Sequence, residues 1–471
     1  MRFDFLEQAQ RLIAIDSVSS RGTVAIAEHV AGLMAAFDLE VRLEEVLYRG
    51  VRQVNVIAEK GPVTRDDLLL NTHLDTVAPG DLAAWTACGG DPLRAVVDGD
   101  RIYGLGSADT KLDFLCKLKA LEGFQQTPFH HRAALVGTFG EEIGLVGARD
   151  LVDRGYFNFA YALIGEPSCL RPIFAHKGLA VWEITADLVP GPPPVEEHVE
   201  MMEVVFPGER AHGSTPALGR NAILAALDCL VGAARRGRAP HVYGLAGGSA
   251  SNVVPDRCTL VTAHDLAFAE DARAAGARIE PMGAQAGRPL DCVEVLADLL
   301  EALRELEARL AQAKDDAFDP PMTTLNVGLI ESREGTVGLV FECRPIPDLS
   351  LEEISEHVGC LDDRLAPRHP ALSIRVNNVR YNPPMRDARG GVLYAAALDT
   401  LAEMGLPAEG RTKSTCTEAA IYGQVGIDTI VFGPGVSEGN AHRSNEHNFL
   451  SHCEKAIAFY TRMIDRFCVR N

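Results

Sequence analysis

The chain has 471 residues, too many for one hydrophobic core, so length alone predicts two or three domains. Hydrophobic residues make up 47% and charged residues 23%, ordinary values for a globular protein. A formal net charge of −20 argues against nucleic acid and anionic membrane surfaces as partners, but leaves room for a local basic pocket around a small substrate.

In chain order, residues 3–15 place Phe5, Ala9, Leu12 and Ile13 at helical spacing, and a second helix is predicted over 24–37. This start does not read as a signal peptide, because Asp4, Glu7 and Gln8 interrupt it. No stretch approaches the roughly 18 apolar residues that a membrane span needs. The 11 cysteines are scattered without a CxxC pair, which predicts free thiols in a reducing cytoplasm. Apolar runs at 54–58, 68–70, 133–139 and 161–164 read as buried strands, with helices predicted over 112–124 and 146–154. Such alternation predicts an α/β fold, a mostly parallel sheet flanked by helices.

The middle of the chain reads differently. Strands are predicted over 179–188 and 199–206, separated by the Pro-rich stretch 190–194. Helices follow over 221–234, 292–314 and 351–365, with strands over 323–330, 336–343 and 372–379. The first pattern then returns as a helix over 391–404, a strand over 429–432 and a helix over 453–467. The expected organisation is therefore an α/β domain in two parts, 1–177 and 381–471, interrupted by an inserted α+β domain over 178–380.

The chemistry-bearing residues gather at strand ends. LLLNTHLDTV runs a strand into His73 and Asp75, which share a face in extended backbone. His73 could bind a metal with Asp75 orienting it, or the two could be a simple hydrogen-bonded pair. In GLGSADTK, Asp109 stands just before a helix and by itself reads as a cap. The strand 133–139 runs into Glu141 and Glu142, adjacent carboxylates that point in different directions and repel unless a cation is near. YALIGEPS ends a strand on Glu166, and TIVFGPGVSEGNAHRSNEHN presents His442 in a loop. In open α/β sheets, sites form at the carboxyl ends of strands. Two imidazoles and three carboxylates suit zinc first, with cobalt or manganese as alternatives.

With these motifs in this order, the chain resembles the di-zinc peptidase and deacylase family of acetylornithine deacetylase, succinyl-diaminopimelate desuccinylase, the aminoacylases and glutamate carboxypeptidase. AHGSTPALGRNAI, GGSASNVVP and the final GPG with AHRSNEHN extend the likeness over nearly the whole chain. The resemblance implies two Zn2+ ions bridged by Asp109, one completed by His73 and Glu166, the other by Glu142 and His442. It implies Glu141 as general base, Asp75 as partner of His73, and a cis peptide at Asp109–Thr110. It implies that the inserted domain is a lid and dimerisation domain, whose His212 and Asn252 meet substrate in a homodimer. The substrate-carboxylate arginine best matches Arg344 in FECRPIPD, although the family's lid carries that arginine closer behind its asparagine; either 264–320 is an insertion or the lid is rearranged. Cys416-Thr417-Glu418-Ala419 resembles the acetylornithine deacetylase branch. The expected activity is hydrolysis of an N-acyl amino acid, with dipeptidase or carboxypeptidase action as the alternative.

Overall fold

The computed structural model describes residues 3–37, 39–156, 158–188, 198–285, 287–333 and 335–470. The Pro-rich stretch 190–194 lies outside the described residues. The chain forms two compact units, one from 1–176 with 385–471 and one from 177–384.

The first unit opens with α1 (Phe5–Ala14), α2 (Val24–Ala35), β1 (Glu40–Tyr48), β2 (Val51–Lys60) and β3 (Leu68–His73). It continues with β4 (Val96–Asp98), β5 (Arg101–Tyr103), α3 (Lys111–Glu122), β6 (Ala133–Thr138), α4 (Val146–Asp153), β7 (Tyr161–Gly165) and β8 (Ile173–His176). The second unit holds β9 (Leu179–Asp187), β10 (Val199–Pro207), α5 (Ala222–Arg235), β11 (Val242–Gly247), β12 (Arg257–Ala263), α6 (Leu266–Ala274) and β13 (Arg278–Gln285). It ends with α7 (Val293–Leu310), β14 (Thr324–Arg333), β15 (Thr336–Arg344), α8 (Leu351–Arg368) and β16 (Ser373–Asn382). The chain then returns to the first unit as α9 (Val392–Glu403), β17 (Arg411–Lys413), α10 (Ala419–Gln424), β18 (Asp428–Val431), β19 (His447–Phe449) and α11 (Leu450–Ile464).

The first unit's main sheet has the order β1-β2-β6-β3-β7-β18-β8-β17. Its centre, β6-β3-β7-β18, is parallel, while β1 and β2 add an antiparallel hairpin at one edge. All six residues of β3 and all six of β6 are buried, which is why both read as continuous apolar runs rather than alternating ones. The hairpin strand β1 is exposed or half-buried along its length and carries no such run, so nothing in the sequence marked it.

The second unit is an antiparallel sheet, β13-β10-β12-β11-β14-β15-β9-β16, packed against helices. Helix α5 starts where the Asn221 side chain accepts the N–H groups of Ile223 and Leu224. Helix α7 buries Val295, Leu296, Leu299, Leu300, Leu303, Leu306 and Leu310, a stripe at helical spacing. The segment 264–320 is thus built into this unit: α7 into its core and β13 onto the edge of its sheet. Among the described residues, no helix is long and apolar enough to cross a membrane.

Candidate active site

Five segments of the first unit deliver polar side chains to one cluster. His73 is the last residue of β3, and Glu166 follows β7, the strand beside it. Glu141 and Glu142 follow β6 on its other side. Asp109 precedes α3. It does not cap that helix, whose N-cap is Thr110, and the Asp109–Thr110 peptide is cis. His442 sits in the loop between β18 and β19 with left-handed backbone. Asn445 pins that loop, accepting the Ala87 N–H at 2.8 Å and donating to Ala84 O at 3.2 Å.

Asp109 lies at the centre. Its Oδ1 is 3.1 Å from His73 Nε2, and its Oδ2 is 3.2 Å from His442 Nε2. His442 Nε2 is also 3.1 Å from Glu142 Oε1, and His73 Nε2 is 3.9 Å from Glu166 Oε1. Donor atoms of His73, Asp109 and Glu142 lie within 4.8 Å of one another. Asp109 itself is held from behind. Glu446 Oε1 accepts the main-chain N–H groups of Ala108 at 2.8 Å and Asp109 at 3.0 Å.

Asp75 stands beside His73 and also reaches the two glutamates. His73 Nδ1 lies 3.0 Å from the main-chain carbonyl of Asp75 and 3.6 Å from its carboxylate. The carboxylate accepts the N–H of Glu141 at 3.1 Å, the N–H of Glu142 at 3.3 Å and the Ser19 hydroxyl at 2.6 Å. Asp75 therefore ties the two glutamates to the end of β3.

Electrostatics follow from burial and crowding. Burial opposes a charge on the His73 ring, but Asp109 and Asp75 outweigh it and hold its pKa well above the ordinary histidine value. Glu142, with Asp109 beside it and against a burial penalty, pushes His442 up to about 12. Burial raises the Glu141 carboxyl well above its usual range, with Glu142 and Glu166 adding to the rise and His73 opposing it. Burial and the charge of Asp109 raise Glu446 to about 8. Four carboxylates and two imidazoles at this spacing, with no thiolate among the donors named, fit hard or borderline divalent cations.

Sequence reasoning missed Lys413. The ammonium on β17 lies 2.6 Å from Glu166 Oε2, with both side chains largely buried. Its only sequence signal is a polar triplet before Cys416, and its place depends on β17 pairing with β8.

His212, Asn252 and Arg344 lie in the second unit, in neighbouring positions. His212 pairs with Val253 in an isolated bridge, and Gly213 N–H donates to the Asn252 carbonyl at 2.8 Å. A Cβ at Gly213 would stand 2.3 Å from Glu342 Oε1, so that site takes no side chain. Glu342 in turn accepts Arg344 Nε at 2.9 Å and Nη2 at 3.2 Å in a buried pair. His212 Nδ1 is 2.7 Å from the Ser214 hydroxyl, and Asn252 is exposed.

The fold and donor set are those of an α/β protein with a candidate metal centre, and the family match makes it a hydrolase of amide or peptide bonds. The chain belongs to peptidase family M20/M25/M40, whose pattern matches residues 69–466. An acetylornithine deacetylase from Myxococcus xanthus is 27% identical over 466 residues, which span 97% of this chain and 96% of that one. One from Vibrio cholerae serotype O1 is 25% identical over 481 residues, 98% of each chain. The solved aminoacylhistidine dipeptidase from Vibrio alginolyticus shares the fold with a TM-score of 0.69 at 16% identity, covering 99% of this chain and 97% of that one.

Proposed function

We propose that the protein hydrolyses the amide bond of an N-acyl amino acid, with an acetylornithine-like substrate preferred, using two divalent metal ions, zinc first. The observation that carries this reading is Asp109, whose two carboxylate oxygens each face a different imidazole. His73 and Glu166 would hold one ion, Glu142 and His442 the other, and Asp109 both. Cobalt or manganese suit the same donors. When bound, such a pair lowers the proton affinity of a water and polarises a substrate carbonyl.

The chain's own residues do the rest. Glu141 takes a proton on its carboxylate and passes it to the amine nitrogen as the amide bond breaks. Asp75 fixes where Glu141 stands by accepting its main-chain N–H. Glu446 holds the loop that carries Asp109. His212, Asn252 and Arg344 are assigned to substrate recognition, in an inserted domain that acts as lid and dimer contact. The same reading makes the protein a cytoplasmic homodimer, in keeping with cysteines that are all free among the described residues.

Two full-length relatives are acetylornithine deacetylases, and Cys416-Thr417-Glu418-Ala419 favours that branch. The fold neighbour that is a dipeptidase supports the second reading, peptide cleavage at the same site. Purified protein with its metal content measured, assayed on N-acetyl amino acids and on dipeptides, separates them. Preference for the acetyl substrates by about tenfold or more is expected. The reverse preference would establish the dipeptidase, and no cleavage of either class would overturn the proposal.

A further inference from the structure

The second unit's sheet buries a polar patch on the face away from its helices. Leu325, Val327, Phe341 and Cys343 of β14 and β15 lie in the helix-packed core. The residues that alternate with them point to the opposite face. There Thr324 stands beside Arg344 across the two strands, and Asn326 beside Glu342. All four are polar, yet Thr324 is 8% exposed, Arg344 4%, and Asn326 and Glu342 1% each. Polar groups buried this deeply persist where they are paired, and each of these has a partner.

The partners lie in the two loops that carry His212 and Asn252. Thr324 Oγ1 donates to Ser214 O at 3.2 Å. Asn326 Nδ2 donates to Ser251 O at 2.9 Å and to Val253 O at 3.2 Å. The loops are joined to each other by the Gly213 N–H on Asn252 O at 2.8 Å and the Val254 N–H on Ala211 O at 2.9 Å. Glu342 lies against that join, its Oε1 in the space that a side chain at Gly213 would need. The same carboxylate grips Arg344 through Nε at 2.9 Å and Nη2 at 3.2 Å. A bidentate contact on one edge of a guanidinium fixes the plane and direction of the whole fork. Burial by itself would raise the Glu342 carboxyl, and Arg344, then Arg380, oppose that rise.

We infer that Glu342 is a positioning residue for substrate recognition: one buried carboxylate sets Arg344 and, through Gly213, the two loops that present His212 and Asn252. This rests on the proposed amide hydrolysis and on the assignment of those three residues to the substrate. Glu342 itself touches no reacting atom. Its loss weakens the hold on the substrate and leaves the chemistry at the strand ends of the first unit in place.

The test is steady-state kinetics of the zinc-loaded full-length protein on whichever N-acetyl amino acid or dipeptide wild type cleaves best. Glu342→Gln keeps the shape of the side chain and removes its charge, whereas Glu342→Asp keeps the charge at shorter reach. The glutamine variant is expected to raise KM about tenfold or more, the scale of a lost hydrogen bond to a charged group. Its kcat should stay within about threefold of wild type and its zinc content should not change, the pattern of lost binding rather than lost chemistry. The aspartate variant should recover part of the loss. Hydrogen exchange should quicken over 211–216 and 250–254 and keep its wild-type rate in α7, which a general loosening of the unit would not spare. An unchanged KM in a folded glutamine variant overturns the inference and leaves the proposed hydrolysis intact, as does a loss confined to kcat. Where the glutamine variant fails to fold, a wild-type KM in the aspartate variant overturns it. Loss of folding in both, read by circular dichroism, also overturns it, because Glu342 would then be a support of the fold. Wild-type protein that cleaves neither class of substrate overturns the proposed hydrolysis itself, and this inference with it.

Discussion

Glu141 and Glu142 are adjacent in sequence, yet their surroundings give them different work. Glu142 Oε1 meets His442 Nε2 at 3.1 Å, whereas the buried Glu141 carboxyl is raised by desolvation. Both are anchored through their backbone by Asp75, so one may be changed without releasing the other. Glu141→Gln is expected to retain wild-type metal content and lose about 10²–10⁴ in kcat, the usual range for a general base. Metal analysis beside single-substrate kinetics checks this, and a near-normal kcat would remove Glu141 from the base role. Asp75→Asn tests the anchor. The aspartate carboxylate accepts three donors, from Ser19, Glu141 and Glu142, and an amide would turn N–H groups toward some of them. Activity should fall about 10–100-fold, with the far-ultraviolet spectrum unchanged; full activity would show that the glutamates hold their places unaided. At this scale the sequence exposed what stands at strand ends, because an apolar run closing on a lone His or Glu is conspicuous. Spacing set Asp75 beside His73, but it could not show that the same carboxylate also accepts the main-chain N–H groups of Glu141 and Glu142. It could not show Lys413, whose position depends on a strand pairing between residues far apart in the chain.

The elements beneath the site are packed too closely for side chains at some positions. Gly165 closes β7 directly before Glu166, and a Cβ there would stand 1.8 Å from Asp113 Oδ2 and 2.6 Å from Thr72 Oγ1. Those atoms belong to a buried polar network. Asp113 Oδ2 accepts the Thr72 hydroxyl at 2.6 Å and Lys117 Nζ at 2.9 Å, and Tyr460 donates to Asp113 Oδ1. The network joins α3 and α11 to the end of β3, so it cannot retreat without losing satisfied buried bonds. Gly165→Ala should therefore destabilise the protein by about 1–3 kcal/mol through overpacking. The midpoint of urea unfolding, compared at equal slope, measures it; an unshifted midpoint would mean that β7 can move aside. The strands of this centre were legible as elements because burial on both faces leaves a run of apolar residues. Strands β1 and β13 were not, because both lie at sheet edges with mostly exposed residues, and they are strands because β2 and β10 pair with them. Even α11 begins earlier than its apolar spacing suggested, at Leu450, directly after β19.

Across the whole molecule, the proposed ligands come from both ends of the chain but from one unit. His442 and Glu142 are 300 residues apart in sequence, with the second unit's residues between them, yet their side chains meet. The sequence hinted at this closure when the strand-and-helix alternation returned after residue 390. The reason appears in the sheet, where β18 pairs in parallel beside β7, so the C-terminal segment belongs to the same core as the N-terminal one. Ions bound by both segments would bind the folded unit and not the unfolded chain. Saturation at about 100 times the dissociation constant would then stabilise the unit by about 2.7 kcal/mol per site. The gain should be local. Hydrogen exchange of the full chain with and without zinc is expected to slow at 68–76, 104–118, 139–148, 163–168 and 440–449, where the donors and their anchors lie. Helix α5, which packs in the second unit's own core, supplies no donor and should exchange at the same rate in both conditions. Protection confined to α5, or absent from the five donor segments, would place the metal elsewhere than on Asp109 and its neighbours. Protection in 104–118 without any in 440–449 would instead remove His442 from the ligand set. Of the proposed ligands His442 is the most open to that result, because it is half exposed and reaches the cluster from a loop.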